Sequence, residues 1–235
     1  MFYNEWKFFY KKIAQDLNLP IEHEKEAANV LNNLLKQKKM DLLSEKKLDQ
    51  LINNKEVVVF GAGHSLERTI IKFKKMIENK VKIAADGATT ALLQKNILPD
   101  IIVTDLDGEI IDQLQASSLG CITVIHTHGD NINKIKKYVP EFKGKIFGTT
   151  QINPQPYSHL YNYGGFTDGD RAVFLSDQFH AKKIYLAGFD FDEKIGKYSF
   201  AANKNKKLKL KKLKWCKYLL EILGEKNHKI HYLRL

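Results

Sequence analysis

Between residues 56 and 190 the chain repeats one unit: a short apolar run, a cluster of glycine and polar residues, then a helical stretch. No other feature constrains the fold as much. The runs are Val57 to Phe60, Val81 to Ala85, Ile101 to Thr104, Cys121 to Ile125, Lys145 to Gly148 and Lys183 to Leu186. Near-continuous apolar strands alternating with helices specify a mostly parallel, Rossmann-like α/β sheet with helices on both faces. Ligands of such sheets bind beyond the carboxyl ends of the strands. Those ends carry Gly61-Ala62-Gly63-His64-Ser65-Leu66, Asp86-Gly87, Asp105-Leu106-Asp107-Gly108, His126-Thr127-His128-Gly129-Asp130-Asn131, Thr149-Thr150-Gln151 and Gly188-Phe189-Asp190. These clusters are expected to gather along one edge of the sheet.

The flanks read differently. Residues 1–54 form a small helical N-terminal region. Ala27, Ala28, Leu31, Leu34 and Leu35 recur at helical spacing, as do Leu48, Leu51 and Ile52 after the N-cap candidate Ser44. Phe2, Trp6, Phe9 and Tyr10 make an aromatic packing stripe, and Asn53-Asn54 leads into the α/β domain, residues 55–235. Two prolines and a glycine pair mark residues 152–166 as an ordered loop crossing the site. A helix resumes from Asp168 to Phe179. A basic amphipathic helix runs from Asn203 to Leu223 with Leu210, Leu213, Cys216, Leu220 and Leu223 on one face, and Ile230 to Leu233 reads as a last strand. No stretch of eighteen apolar residues exists to span a membrane, and the N-terminus has no charged-then-apolar leader pattern. Cys121 and Cys216 are far apart and lack metal-ligand spacing, as suits a reducing cytoplasm.

Asp105 and Asp107 stand two residues apart at one strand end with no base beside them. Two such acids repel unless a cation intervenes, and Mg²⁺ favours one or two carboxylates plus substrate phosphates. The plain alternative is that both cap the next helix. Asp86 suits a ribose hydroxyl or a magnesium site equally. The Gly61 loop would let a backbone approach phosphate at a helix start. It has Leu66 where a nicotinamide fingerprint has its third glycine, and it lacks the Lys-Ser/Thr of a P-loop. His126 and His128 invite zinc, but no third nitrogen or sulfur ligand is spaced to complete a site. Asp168 and Asp170 serve either as helix caps or in the site. The net charge of +11 draws much of its excess from Lys204, Lys206, Lys207, Lys209, Lys211, Lys212, Lys214 and Lys217. That run reads as a solvated helix face. A lid over a polyphosphate is the second option, with Lys204 to Lys207 nearest the phosphates. Nucleic-acid binding would want more interleaved aromatics than Trp215 and Tyr218.

Together these stretches resemble the archaeal-type 6-hydroxymethyl-7,8-dihydropterin diphosphokinase family, itself similar in its core to the thiamine pyrophosphokinases. Phe60 to Glu67, Ala85 to Thr89, Pro99 to Gly108 and Gly164 to Ala172 carry the match. His126 to Asn131 and Gly188 to Phe191 add to it. His64 stands where that family more usually has proline, and glycosyltransferase-like proteins share the Gly-Ala-Gly-x-Ser-Leu stretch. The resemblance implies ATP- and Mg²⁺-dependent transfer of diphosphate to the hydroxymethyl group of a reduced pterin, with release of AMP, for folate or methanopterin-type coenzymes. It implies Asp105 and Asp107 as metal ligands and Asp86 as a third acid. It places Gly61, Ala62, Gly63, Ser65 and Leu66 against nucleotide or phosphate, and Thr127, Asp130, Asp168 and Asp170 against ribose, base or pterin. The partners implied are ATP and a reduced hydroxymethylpterin, with no membrane, in the cytoplasm, and a homo-oligomer is compatible with all of this. Two rivals stay open. An NAD(P)-dependent oxidoreductase would use the Gly61 loop and Asp86 but leaves Asp105 and Asp107 without a role. A basic nucleic-acid-binding protein leaves the strand-end acids unexplained.

Overall fold

Eight strands hydrogen-bond into one parallel sheet in the computed structural model, which describes residues 3–38, 42–192, 194–199 and 206–235. In chain order the elements are α1 (Tyr3–Leu17), α2 (Glu22–Gln37), α3 (Glu45–Ile52), β1 (Glu56–Phe60), α4 (Leu66–Lys72), α5 (Lys74–Glu78), β2 (Val81–Ala85), α6 (Ala88–Leu93), β3 (Ile101–Thr104), α7 (Ile110–Ser118), β4 (Ile122–Thr127), α8 (Ile132–Tyr138), β5 (Ile146–Thr150), β6 (Leu160–Tyr161), α9 (Asp168–Gln178), β7 (Lys183–Ala187), α10 (Lys206–Asn227) and β8 (Ile230–Tyr232). Phe2, Asn203 and Lys204 of the sequence reading lie outside the described residues.

The strand order is β6-β5-β4-β3-β2-β1-β7-β8. The chain therefore walks outward from β1 in one direction, then returns to place β7 on the other side of β1. That reversal opens a crevice beyond the carboxyl ends of β1 and β7, where α/β sheets take their ligands. Strand alternation supplies both faces of the core. Val57, Val59, Ile83, Ile101 and Val103 join one cluster with α9 and α10, while Val58, Phe60 and Ala84 face α4 and α6. The first cluster also holds Trp6, Tyr10 and Ile13 of α1 and Leu48 and Ile52 of α3, so these helices share the sheet's own core. Asn54, at φ 56°, donates its N–H to His180 O at 3.0 Å and so ties this junction to the turn before β7.

The differences from the sequence reading that bear on the site lie in β4, β5 and the 152–166 segment. β4 and β5 each run to the second residue past the expected end, because Thr123 to Thr127 pair with Ile146 to Thr150 in unbroken register. His126 and Thr127 therefore belong to a buried central strand. Residues 152–166 contain the short strand β6, which pairs with β5 through Gly148↔Leu160 and Thr149↔Tyr161. Gly148 permits this approach, since a Cβ there would stand 2.6 Å from His159 O.

Candidate active site

A cavity of about 390 Å³ opens at the β1/β7 crevice. Gly61 to Gly63, Asp86, Asp105, Asp107, His128 and Asp130 line it from the ends of β1 to β4. Gly188 to Phe191 enter from the end of β7, Phe166 to Gly169 from the start of α9, and Lys209 and Lys212 from α10. The expected gathering of strand-end residues along one edge is thus observed. Of the 152–166 loop, only Phe166 reaches this cavity.

Three carboxylates converge in it. Asp86, Asp105 and Asp168 each offer an oxygen within 4.8 Å of the other two. Asp86 is fixed by three donors to Oδ1: Thr104 Oγ1 at 2.8 Å, Gly108 N at 3.0 Å and Gln113 Nε2 at 2.9 Å. Its φ of 43° is a conformation aspartate tolerates better than most residues. Gly108 lies so close that a Cβ would stand 2.9 Å from the Asp86 oxygens. Asp168 opens α9 and is held by Arg171, whose Nη1 donates at 2.8 Å while Nη2 donates to Phe166 O at 2.9 Å. Burial, and then the charge of Asp105, raises the pKa of Asp86. The same two causes lift Asp168 well above the usual carboxylate range, with Arg171 and Lys209 pulling the other way. Acids kept so close against their own repulsion fit a hard divalent cation.

Asp107 takes a different direction from Asp105. Leu106 between them sits at φ 68°, rare for an apolar side chain, and buries that side chain under β4. The turn sends the Asp107 carboxylate to Lys134 Nζ at 2.5 Å, while Asp105 Oδ2 lies 3.3 Å from His128 Nε2. The geometry groups Asp105 with Asp86, the third acid of the sequence reading, and with Asp168, while Asp107 lines the same cavity beside this cluster.

The other expected site residues divide in two. Asp130 lines the cavity and is exposed. Thr127 and Leu66 are fully buried and do not line the cavity. Asp170 is buried as a cap, accepting from Phe166 N and Thr167 N at 2.7 Å each. Ser65 is half-buried, and its N–H donates to Asp190 Oδ2 at 2.7 Å. The Gly61-Ala62-Gly63 loop is shaped by its neighbours. A Cβ on Gly63 would meet Gly188 O and Asp190 Oδ2, each at 2.4 Å, and one on Gly196 would meet Ala62 O at 2.2 Å. These glycines allow three chain segments to pack backbone to backbone. His64 bridges the same segments, with Nε2 2.9 Å from Asp192 Oδ2.

The family model of the MptE-like 6-hydroxymethylpterin diphosphokinases matches residues 25–196. The chain belongs to this family. The 6-hydroxymethyl-7,8-dihydropterin pyrophosphokinase of Methanocaldococcus jannaschii is 42% identical over 94% of this chain and 95% of its own. The Pyrococcus furiosus protein of the same name is 43% identical over 95% of this chain and 94% of its own. Among solved structures, the Maf glycosyltransferase from Magnetospirillum magneticum aligns with a TM-score of 0.42 and 16% identity. It covers 59% of this chain and 23% of that one, a likeness too slight to bear on the site. The part of this diphosphokinase-family chain that the model matches includes every carboxylate of the cavity, while α10 lies beyond it.

His128 and Phe189 belong to strand-end clusters and Lys209 and Lys212 to the lid option of the sequence reading, but that reading assigns no site role to any of them, nor to Phe166 and Phe191, and all six line the cavity. Lys209, Lys212 and Cys216 do share one helical stripe by their i, i+3, i+7 spacing, and that signal was present in the sequence.

Proposed function

We propose that this protein transfers diphosphate from ATP to the hydroxymethyl group of 6-hydroxymethyl-7,8-dihydropterin and releases AMP. The observation that carries the reading is the convergence of Asp86, Asp105 and Asp168 in the cavity at the carboxyl ends of the strands. These three carboxylates would hold Mg²⁺, which supplies charge neutralisation for the triphosphate. The hydroxymethyl oxygen attacks the β-phosphorus. The bond from that phosphorus to the oxygen bridging it to the α-phosphate breaks, its electrons leave with AMP, and the alcohol loses its proton. The attacking alcohol is neutral and the donor strongly anionic, so the protein's contribution is positioning and charge balance. Phe166, Phe189 and Phe191 give the cavity an aromatic wall suited to a flat heterocycle.

Asp107 and Asp130 stand at the rim, where Asp107 is held by Lys134. The NAD(P) reading loses ground because Asp86 is already bound by three donors and faces two further acids, an arrangement hostile to a ribose diol. Both cysteines are buried and free, in keeping with a cytoplasmic enzyme, and no described helix is long and apolar enough to cross a membrane. Phosphorus NMR of a mixture with ATP, Mg²⁺ and the reduced hydroxymethylpterin tests the reaction. AMP and a pterin diphosphate are expected, and ADP as the sole nucleotide product would refute diphosphate transfer.

A further inference from the structure

The cavity walls carry opposite charges. Asp86 and Asp105 come from strand ends and Asp168 from the start of α9, and α10 presents Lys209 and Lys212 to the same cavity. The other lysines of the sequence's basic run that lie in this helix do not line the cavity. Lys211 Nζ reaches Asp16 Oδ1 on α1 at 3.0 Å, and Lys206, Lys207, Lys214 and Lys217 are exposed. Lys212 Nζ lies 5.9 Å from the centre of the Phe166 ring, two residues before Asp168. Leu213 and the buried Cys216 continue the same stripe, so packing holds the two lysines on the cavity side.

The glycine loop has few donors left for a polyanion. Gly61 N donates to Ala187 O, Gly63 N to Gly188 O, Ser65 N to the Asp190 carboxylate and Leu66 N to Gly63 O. Asp190 thus occupies the place at the start of α4 that a bound phosphate would take. A nucleoside triphosphate carries roughly four negative charges at neutral pH, and a divalent cation offsets two of them. The carboxylates share that same cation, so the triphosphate calls for further positive charge, and Lys209 and Lys212 line the cavity.

We propose that Lys209 and Lys212 of α10 bind the phosphates of the nucleotide, in place of the glycine-loop amides, and so complete the diphosphate site from outside the region the family model matches. The proposal rests on the diphosphotransferase reading. The two lysines line the same cavity as the three carboxylates, and the charge of Lys209 reaches Asp168, so phosphates bound there would meet both a cation and ammonium groups. Charge-assisted hydrogen bonds of this kind are each lost at about 1.5–3 kcal/mol, which corresponds to roughly ten- to a hundredfold in binding.

Lys209→Gln, Lys212→Gln and the double variant test it, with the Lys206→Gln, Lys207→Gln, Lys214→Gln triple variant as control. The KM for ATP is expected to rise about tenfold or more in each single variant, with the KM for pterin unchanged. Lys209→Arg and Lys212→Arg, which keep the charge, are expected to recover most of the loss. Values for the double variant within twofold of wild type, or an equal rise in the control, would overturn the proposal. Equilibrium binding of Mg·ATP separates it from the reaction itself. A wild type that binds Mg·ATP but forms no AMP refutes the reaction, yet a tenfold weaker double variant still supports the lysines. A double variant binding as tightly as wild type refutes them.

Discussion

Replacing Asp168 by asparagine tests the carboxylate cluster directly. At 4.8 Å, the outer limit of their separation, and an effective dielectric near 20, two unit charges repel by about 3.5 kcal/mol, so full ionisation of all three acids would set about 7 kcal/mol of repulsion on Asp168. Against this stands its ion pair with Arg171 at 2.8 Å, about 6 kcal/mol on the same scale. Burial adds to the repulsion and favours the neutral form of Asp168, which asparagine mimics, and the asparagine oxygen still accepts from Arg171 Nη1. Asp168→Asn is therefore expected to melt within a few degrees of wild type when Mg²⁺ is chelated. The difference appears on adding Mg·ATP. At a hundredfold excess over Kd, a bound ligand stabilises by about 2.7 kcal/mol. For a chain of 235 residues that is about 5–11 °C in Tm. The variant is expected to lose that rise, and its kcat to fall on the order of a thousandfold. Asp107→Asn, which removes a partner of Lys134 rather than a member of the cluster, is expected to keep the rise and lose about tenfold or less in kcat. Retention of both the thermal shift and near-normal turnover in Asp168→Asn would refute the assignment of the cluster.

Two further substitutions probe the surroundings. Gly63→Ala places a Cβ 2.4 Å from Gly188 O, so about 1–3 kcal/mol of stability is expected to be lost in a denaturant titration, whereas a changed KM for ATP at full stability would return the loop to phosphate binding. Glu24 of α2 is buried with its pKa raised above 4.5, chiefly by desolvation, while Oε1 accepts from Gly129 N at 3.2 Å and Gln151 Nε2 at 2.8 Å. Folding therefore favours its protonated form, and its contribution to stability falls as pH rises from 4.5 through the raised value. Glu24→Gln is expected to stabilise the protein at pH 8 and to change little at pH 4. An equal effect at both, measured by urea unfolding, would sink that account.

The sequence by itself determined the class of fold and the edge on which chemistry sits. Six apolar runs, each followed by a cluster of glycine or polar residues, leave a parallel sheet as the arrangement that buries both strand faces, and strand polarity then places the polar clusters together. The motif residues likewise carried the family from local pattern alone. Which acids meet was decided by tertiary structure. Asp105 and Asp107 are neighbours in the chain, but a left-handed Leu106, held by its burial, turns them apart. Asp168 joins Asp105 from sixty-odd residues away because α9 packs under the sheet with its N-terminus at the strand ends. The roles of Thr127, Leu66 and Asp170 depended on the same level. A two-residue extension of β4, the packing under α4 and a helix cap turned three site candidates into parts of the frame. Lys209 and Lys212 show the reason most plainly. Helical periodicity puts them on one stripe, but only the docking of α10 against α1 and α9 determines that the stripe faces the cavity, because burial of Leu219, Leu220 and Leu223 sets the helix's rotation.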